Sequence, residues 1–309
     1  MGKRAVILFA GQGAQKVGMG KDLAESFPVA KELFDQAGEI AGFDLAEVMF
    51  EGPEDQLTRT SRCQPALYAH GLACLALLKE SVPDLEIVGA AGLSLGEFTA
   101  HSAAGTFDFA TGCELVAQRG RFMEEATDST EGAMAAMIGG DDEAVAKLAE
   151  ACDIDVANYN APGQIVVSGS KDGVEQAVAG AKENGIRIAK KLDVAGAYHS
   201  RLMMPAQEKL AEVLANAEFA EPNVPVICNV DAAQVSSADE IRSTLERQVS
   251  GSVRWTESMQ AFVADGVDTF IELGPGKVLA GLMKRTAKGV KVISIEDAAS
   301  LQAAIEELS

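Results

Sequence analysis

Five short apolar runs, each closed by small or polar residues, restrict the folds open to this chain. Ala5-Val6-Ile7-Leu8-Phe9 holds no polar residue and ends at Gly11-Gln12-Gly13. A strand with one wet face alternates polar and apolar residues, so an unbroken run belongs to a strand covered on both faces of a parallel sheet. Similar runs recur at Ile87–Ala91, Val226–Val230, Thr269–Leu273 and Val290–Ile295. Helical patterns are expected between them, at about 65–80, 97–104, 108–126, 202–217, 238–248, 255–265, 276–286 and 296–307. This alternation predicts an α/β domain with helices covering a mostly parallel sheet.

Residues 130–196 have another rhythm. Strand Met134–Ile138, helix Asp141–Ala151, strands Ile154–Asn158 and Gln164–Ser168, helix Lys171–Asn184 ended by Gly185, and strand Ile186–Leu192 follow in turn. The order β-α-β-β-α-β predicts a ferredoxin-like unit. Its ends, near Glu131-Gly132 and Ala195-Gly196, are expected to serve as hinge points. The expected division is a catalytic α/β part formed by 1–129 and 197–309, interrupted by a ferredoxin-like insert at 130–196.

Charge excludes some functions. The chain has 26 Lys+Arg against 46 Asp+Glu, a net charge of −20, which argues against a nucleic-acid partner. Its 309 residues contain no uninterrupted apolar stretch long enough for a membrane span. The N-terminal run Ala5–Ala10 is too short for a signal-peptide core. Five cysteines without C-x-x-C spacing read as reduced thiols, so a cytoplasmic protein without a metal site is expected.

Gly92-Leu93-Ser94-Leu95-Gly96 follows a buried strand, and Glu97-Phe98-Thr99-Ala100 opens a helix behind it. That is the strand-turn-helix elbow that exposes a strained serine at the C-terminal edge of a sheet. Such a serine needs a base, and the chain offers only His70, His101 and His199. His101 lies seven residues along the same helix, about 10 Å by helical rise, beyond hydrogen-bond reach. His70 sits in an apolar helix and is expected in the core. His199, on a loop before a helix, is the expected base. No acid stands out to orient it, which favours a dyad held by a backbone carbonyl.

Gly11-Gln12-Gly13 invites a dinucleotide-binding reading, but position 16 is Lys16 where that fingerprint needs glycine. The loop can instead turn the Gln12 N–H toward a developing oxyanion, with the Leu95 N–H as second donor. Gly274-Pro275-Gly276-Lys277 resembles half a phosphate loop but has Ile271 where the first glycine belongs, so it is read as a helix-entry turn. Arg119, in the otherwise apolar stretch Leu115–Gly120, is either paired structurally or offered to a carboxylate.

Taken together, these motifs resemble the malonyl-CoA:acyl carrier protein transacylase family nearly end to end. The resemblance runs through Phe9–Gln15, Gly92–Glu97, Gln118–Met123, Gly132–Ala136, Asn160–Gln164, Tyr198-His199-Ser200, Gln248 with Val253-Arg254-Trp255, and Glu272–Gly276. It implies a hydrolase-like α/β domain carrying a ferredoxin-like insert. It also implies ping-pong transfer of a malonyl group from malonyl-CoA to the phosphopantetheine thiol of acyl carrier protein, for fatty-acid elongation, without a cofactor. Ser94 would be the nucleophile, His199 the base, and Arg119 the partner of the malonyl carboxylate. The Gln248 carbonyl would accept from His199 Nδ1–H, with Asn160, Met123 and Tyr198 in support, and a monomer is implied. Two departures stand out: Leu93 replaces a histidine common before the nucleophile, and Ala10 replaces a common proline.

An acidic carrier docking on an acidic enzyme needs a local basic patch. Lys277, Lys284, Arg285, Lys288 and Lys291 fall in a window without acids, and Arg187, Lys190 and Lys191 on the last strand of the insert. These two groups, with Arg187, Lys190, Lys191, Lys284 and Arg285 as docking residues, are expected to flank the cleft mouth. The rival readings are a serine thioesterase or esterase on a related scaffold, and a non-catalytic carrier-protein docking module.

Overall fold

The computed structural model describes residues 3–308. Ten strands form two sheets: β1 (Arg4–Phe9), β2 (Glu86–Gly92), β3 (Gly132–Ile138), β4 (Asp155–Ala161), β5 (Gln164–Ser170), β6 (Ile188–Lys191), β7 (Val226–Ile227), β8 (Gln234–Val235), β9 (Thr269–Leu273) and β10 (Lys291–Ile295). The larger sheet has the order β10-β9-β1-β2-β7-β8, parallel except for its last pair. The chain is thus a mixed α/β protein built on a parallel sheet.

The first strand shows why an unbroken apolar run suits this position. Ala5, Ile7 and Phe9 point into one buried cluster, while Val6 and Leu8 point into another with Trp255, Phe262 and Phe270. Successive strand side chains alternate faces, so a layer of helices on each side requires every residue to be apolar. The chain runs outward from β1 through β2 to β7 and β8, then returns to pair β9 and β10 on the other side of β1. Such a reversal opens a crevice at the carboxyl ends of the strands, where the turns after β1, β2 and β9 gather.

The smaller sheet is antiparallel, in the order β4-β5-β3-β6. Helices Asp142–Ala151 and Lys171–Gly180 cover one face through Val145, Leu148, Val174 and Ala177. Its other face sends Met134, Ala157 and Val166 into the core of the larger body. The edge strand β4 is also stitched to that body: Tyr159 N–H donates to Val253 O (2.9 Å) and Val253 N–H to Ala157 O (2.8 Å).

Three expectations change. The run Val226–Val230 yields only a two-residue strand, because Cys228 N–H already bonds Ala233 O and the chain turns back. The helix expected over 171–184 ends at Gly180, a weak helix former, and the tight turn that follows reaches Gly185 at φ 78°. Four helices between Lys21 and Leu57, including Pro28–Ala41, were not anticipated. The turn Gly274–Lys277 does enter a helix, Val278–Thr286.

Candidate active site

Strand β2 delivers Ser94 at φ 55° and ψ −109°, directly before the helix Leu95–Ala103. A β-carbon on Gly92 would lie 1.9 Å from the Gly96 backbone, and one on Gly96 would lie 2.3 Å from Phe9 O. The glycines are therefore required by backbone-to-backbone packing around the bend. Asn229, just beyond β7, fastens the bend from the other side. Its Oδ1 accepts from Ser94 N–H (2.6 Å) and its Nδ2 donates to Gly92 O (2.8 Å).

Across the crevice, His199 Nε2 lies 2.7 Å from Ser94 Oγ. His199 Nδ1 faces two carbonyl oxygens, Gln248 O at 2.9 Å and Gly251 O at 3.2 Å. Carbonyls only accept, so the proton sits on Nδ1 and the Nε2 lone pair faces the serine hydroxyl. Burial, reinforced by the Arg119 charge, lowers His199 to about 4 and keeps the imidazole neutral at physiological pH. A hydroxyl held this way can pass its proton to the imidazole as it attacks an electrophilic carbonyl.

Arg119, on helix Phe109–Asp128, is 1% exposed. Its Nη1 donates to Gln64 Oε1 (2.9 Å), and its Nη2 to Gln248 Oε1 (2.8 Å) and Ser94 Oγ (3.1 Å). All three acceptors are neutral, and among the described residues Arg119 forms no ion pair. Its guanidinium also sits 5.4 Å from the Phe98 ring centroid. Burial lowers its pKa to about 10, which leaves it charged at neutral pH.

The amide of Gln248 joins these groups. While its Oε1 accepts from Arg119, its Nε2 donates to Ser94 O (2.9 Å) and Glu97 Oε2 (2.8 Å). Glu97 is fully buried and also accepts from Asn229 N–H (2.9 Å). Burial raises its carboxyl to about 7. Gln12 Nε2 donates to Thr60 Oγ1 (3.3 Å), which shares a 2.6 Å hydrogen bond with the Tyr198 hydroxyl. Among the described residues, the backbone N–H groups of Gln12 and Leu95 meet no acceptor, and Leu95 is the first residue of its helix.

A family model, the acyl transferase domain, matches residues 6–305. The malonyl CoA-acyl carrier protein transacylase of Bacillus subtilis is 44% identical to this chain, covering 99% of it and 97% of the relative. The protein of the same name from Escherichia coli K12 is 40% identical, covering 97% and 98%. The chain belongs to the malonyl-CoA:acyl carrier protein transacylase family. Its structure agrees with that of an acyl carrier protein S-malonyltransferase from Vibrio cholerae, at TM-score 0.93 and 42% identity over 98% of this chain and 99% of that one. It also matches a malonyl-transacylase solved in complex with a type II PKS acyl-carrier protein, at TM-score 0.94 and 38% identity, covering 99% of each chain.

In this acyltransferase, Ser94, His199, Arg119 and Gln248 meet in one buried cluster, with Gln12, Leu95 and Tyr198 around it. Met123 reaches the cluster indirectly, since its Sδ accepts from Gln64 Nε2 (3.5 Å). Asn160 lies on β4 with its Oδ1 buried and unpartnered. The other two histidines lie elsewhere: His70 stacks near Phe34, and His101 Nδ1 bonds Thr106 Oγ1 (3.0 Å). No group of residues suited to a metal ion occurs among those described, and no described helix is long and apolar enough to cross a membrane.

The basic residues separate. Arg285 bonds the Gln164 side chain and Pro162 O (3.2 Å) on the β4–β5 turn. Arg187 lies against Gly139, whose N–H donates to Gly163 O (2.9 Å) on that same turn. Lys191 pairs with Glu175 (2.7 Å), Lys190 stands opposite Ala136 on β3, and Lys291 pairs with Glu307 (2.9 Å). Lys277, Lys284 and Lys288 instead line a groove of about 830 Å³ beside β10, which Ser94 does not border.

Sequence reasoning missed Gln64, Thr60, Asn229 and the role of Glu97. Only Glu97 carried a local signal, as a charged residue directly behind the elbow in a helix that turns out wholly buried there.

Proposed function

We propose that this chain transfers a malonyl group from malonyl-CoA to the phosphopantetheine thiol of acyl carrier protein through a malonyl-serine ester. The observation that carries this reading is the buried Arg119 guanidinium, held only by neutral acceptors and 3.1 Å from the Ser94 hydroxyl. A buried cation with no counter-charge in direct contact is unfavourable by several kcal/mol, and a substrate carboxylate beside the scissile thioester supplies that contact.

Ser94 Oγ attacks the thioester carbonyl while His199 Nε2 takes its proton. The N–H groups of Gln12 and Leu95, left without acceptors, hold the oxyanion, and one such donor is typically worth 10²–10³ in rate. Collapse breaks the C–S bond and CoA leaves as the thiol, with the proton from His199. The carrier-protein thiol then attacks the ester, His199 accepts its proton, and Ser94 recovers it on release. The Gln248 carbonyl keeps His199 in the required tautomer. Every atom comes from the two thiol partners and the acyl group, so no cofactor enters.

We read the chain as a hydrolase-like α/β part, 1–129 and 197–309, with a ferredoxin-like insert at 130–196. The β-α-β-β-α-β succession and the antiparallel order β4-β5-β3-β6 support the insert. Arg187 and Arg285, brought to one turn of the insert, are the strongest candidates for carrier docking, with Lys190, Lys191 and Lys284 flanking them. Fatty-acid elongation in the cytoplasm by a monomer is the setting this reading favours.

Mass spectrometry of the protein mixed with malonyl-CoA tests the proposal. A malonyl adduct that is absent in Ser94→Ala and discharged by carrier-protein thiol is expected. Discharge by water alone would mean a thioesterase, and no adduct would leave a docking module.

A further inference from the structure

Among the described residues, Glu97 is the one buried carboxylate beside the site that the transfer steps leave unused. Its Oε2 accepts from Gln248 Nε2 (2.8 Å) and Asn229 N–H (2.9 Å), while its Oε1 has no partner. The Gln248 amide therefore stands between a carboxylate and the Arg119 guanidinium, with nitrogen toward the first and oxygen toward the second. Arg119 has only hydrogen donors to offer, so the amide can serve it in this orientation alone. A carboxylate in direct contact would form the stronger, charge-assisted pair and compete with any acyl carboxylate. One amide further away, it still lowers the energy of the buried cation, since attraction falls only gradually with distance in a low-dielectric interior.

We propose that Glu97 is a positioning residue that tempers malonyl selectivity: a counter-charge held one amide away from Arg119 by Gln248, near enough to offset part of the buried positive charge and too far to displace an acyl carboxylate from it. The inference rests on the transferase reading of Arg119. Charged groups facing Glu97 are Arg119 and Asp231, and Asp231 is itself paired with Arg247 (2.6 Å). The same carboxylate holds the elbow through Asn229, so a purely structural role is the alternative to be separated.

Two variants separate them, because the electrostatic role moves selectivity in opposite directions. Acylation of the full chain by malonyl-CoA and by acetyl-CoA is compared at pH 8 as the ratio of kcat/KM values. Glu97→Gln keeps the acceptor oxygen but removes the competing charge, and the malonyl-to-acetyl ratio is expected to rise at least about threefold. The exchange Glu97→Gln with Gln248→Glu keeps the side-chain sizes and the net charge but brings the carboxylate onto Arg119. Here the ratio is expected to fall at least about tenfold, mainly through KM for malonyl-CoA. If the exchange does not fold, Gln248→Glu alone carries the same expectation. A structural role would slow both substrates alike, so a ratio that stays constant, or falls in both variants, overturns the inference. If the unsubstituted chain itself shows no malonyl preference, the transferase reading of Arg119 fails and the inference with it.

Discussion

Ser94 and His199 meet at 2.7 Å with both backbones in the left-handed half of conformational space, each at φ 55°. Residues other than glycine persist there only where surrounding contacts impose it, at about 1–3 kcal/mol each. Asn229 holds one side of this pair and the carbonyls of Gln248 and Gly251 hold the other. The strain is thus localised at the two groups that exchange a proton. Ser94→Gly should be more stable than Ser94→Ala by about 1 kcal/mol or more, measured as a shift in urea midpoint, although both lose the acyl adduct. Equal midpoints would mean that the bend is unstrained.

The elbow glycines leave no room for adjustment. Gly92→Ala and Gly96→Ala place a methyl group within 1.9 Å and 2.3 Å of backbone atoms that cannot rotate away. Each is expected to destabilise by at least about 3 kcal/mol, the upper end of overpacking. Gly281→Ala, where a β-carbon meets open space, serves as control and should be neutral or slightly stabilising. Thermal melts of the three proteins decide the point.

Arg119 serves both stability and selectivity. Arg119→Met removes a buried cation that has no carboxylate partner and replaces it with a side chain of similar length. The variant should melt below the parent, because the buried acceptors Gln64 Oε1 and Gln248 Oε1 lose their donor, at about 1–3 kcal/mol each. Its kcat/KM with malonyl-CoA should fall about 30- to 4,000-fold, equivalent to 2–5 kcal/mol, while acetyl-CoA is much less affected. A malonyl preference that survived would remove Arg119 from substrate recognition.

Acid should unfold this chain through its histidines. Burial holds His70 and His199 near 4 and His101 near 3, below the ordinary 6.5. Each is neutral when folded and gains a proton on unfolding, so the stability they confer is intact above about 6.5 and is lost as pH falls toward 4. Glu97, raised to about 7, acts the opposite way between its ordinary 4.5 and 7, and Glu272 is raised in the same sense. Three histidines outweigh the two raised carboxylates near pH 5, so unfolding takes up protons there and stability falls on acidification. Urea midpoints at pH 5, 6 and 7 measure it, and a midpoint rising on acidification would contradict the assignment.

Carrier docking should be carried by the two arginines at the β4–β5 turn. Arg187→Glu and Arg285→Glu are expected to raise KM for acyl carrier protein and weaken its dependence on salt, leaving KM for malonyl-CoA near its original value. Lys288→Glu, in the groove beside β10, should have a smaller effect. Equal effects at all three positions would indicate general charge attraction instead of a local patch.

How much of this was legible varies by residue. The buried strands were readable because covering both faces leaves only one kind of residue possible, as at Ala5–Phe9. His199 was readable because two of three histidines could be set aside by helix geometry and apolar context. Val226–Val230 misled, since the same apolar run that begins a strand also lines the turn that brings in Asn229. The basic window at 277–291 is divided by the fold. Adjacent helix residues point about 100° apart, so Lys284 and Arg285 diverge, one into a groove and the other onto the insert.

Residue chemistry along the chain was enough to specify the parallel sheet, the serine elbow and the histidine, because each depends on local pattern or on a short list of candidates. It could not specify the state of Arg119 or find Gln64, Asn229 and the placement of Glu97. Those depend on contacts between segments 25 to 154 positions apart. Charge, tautomer and hydrogen-bond polarity are properties of the assembled site: a neutral His199, an unpaired Arg119 and an oriented Gln248 exist only once folding has excluded water and brought these segments within 3 Å of one another.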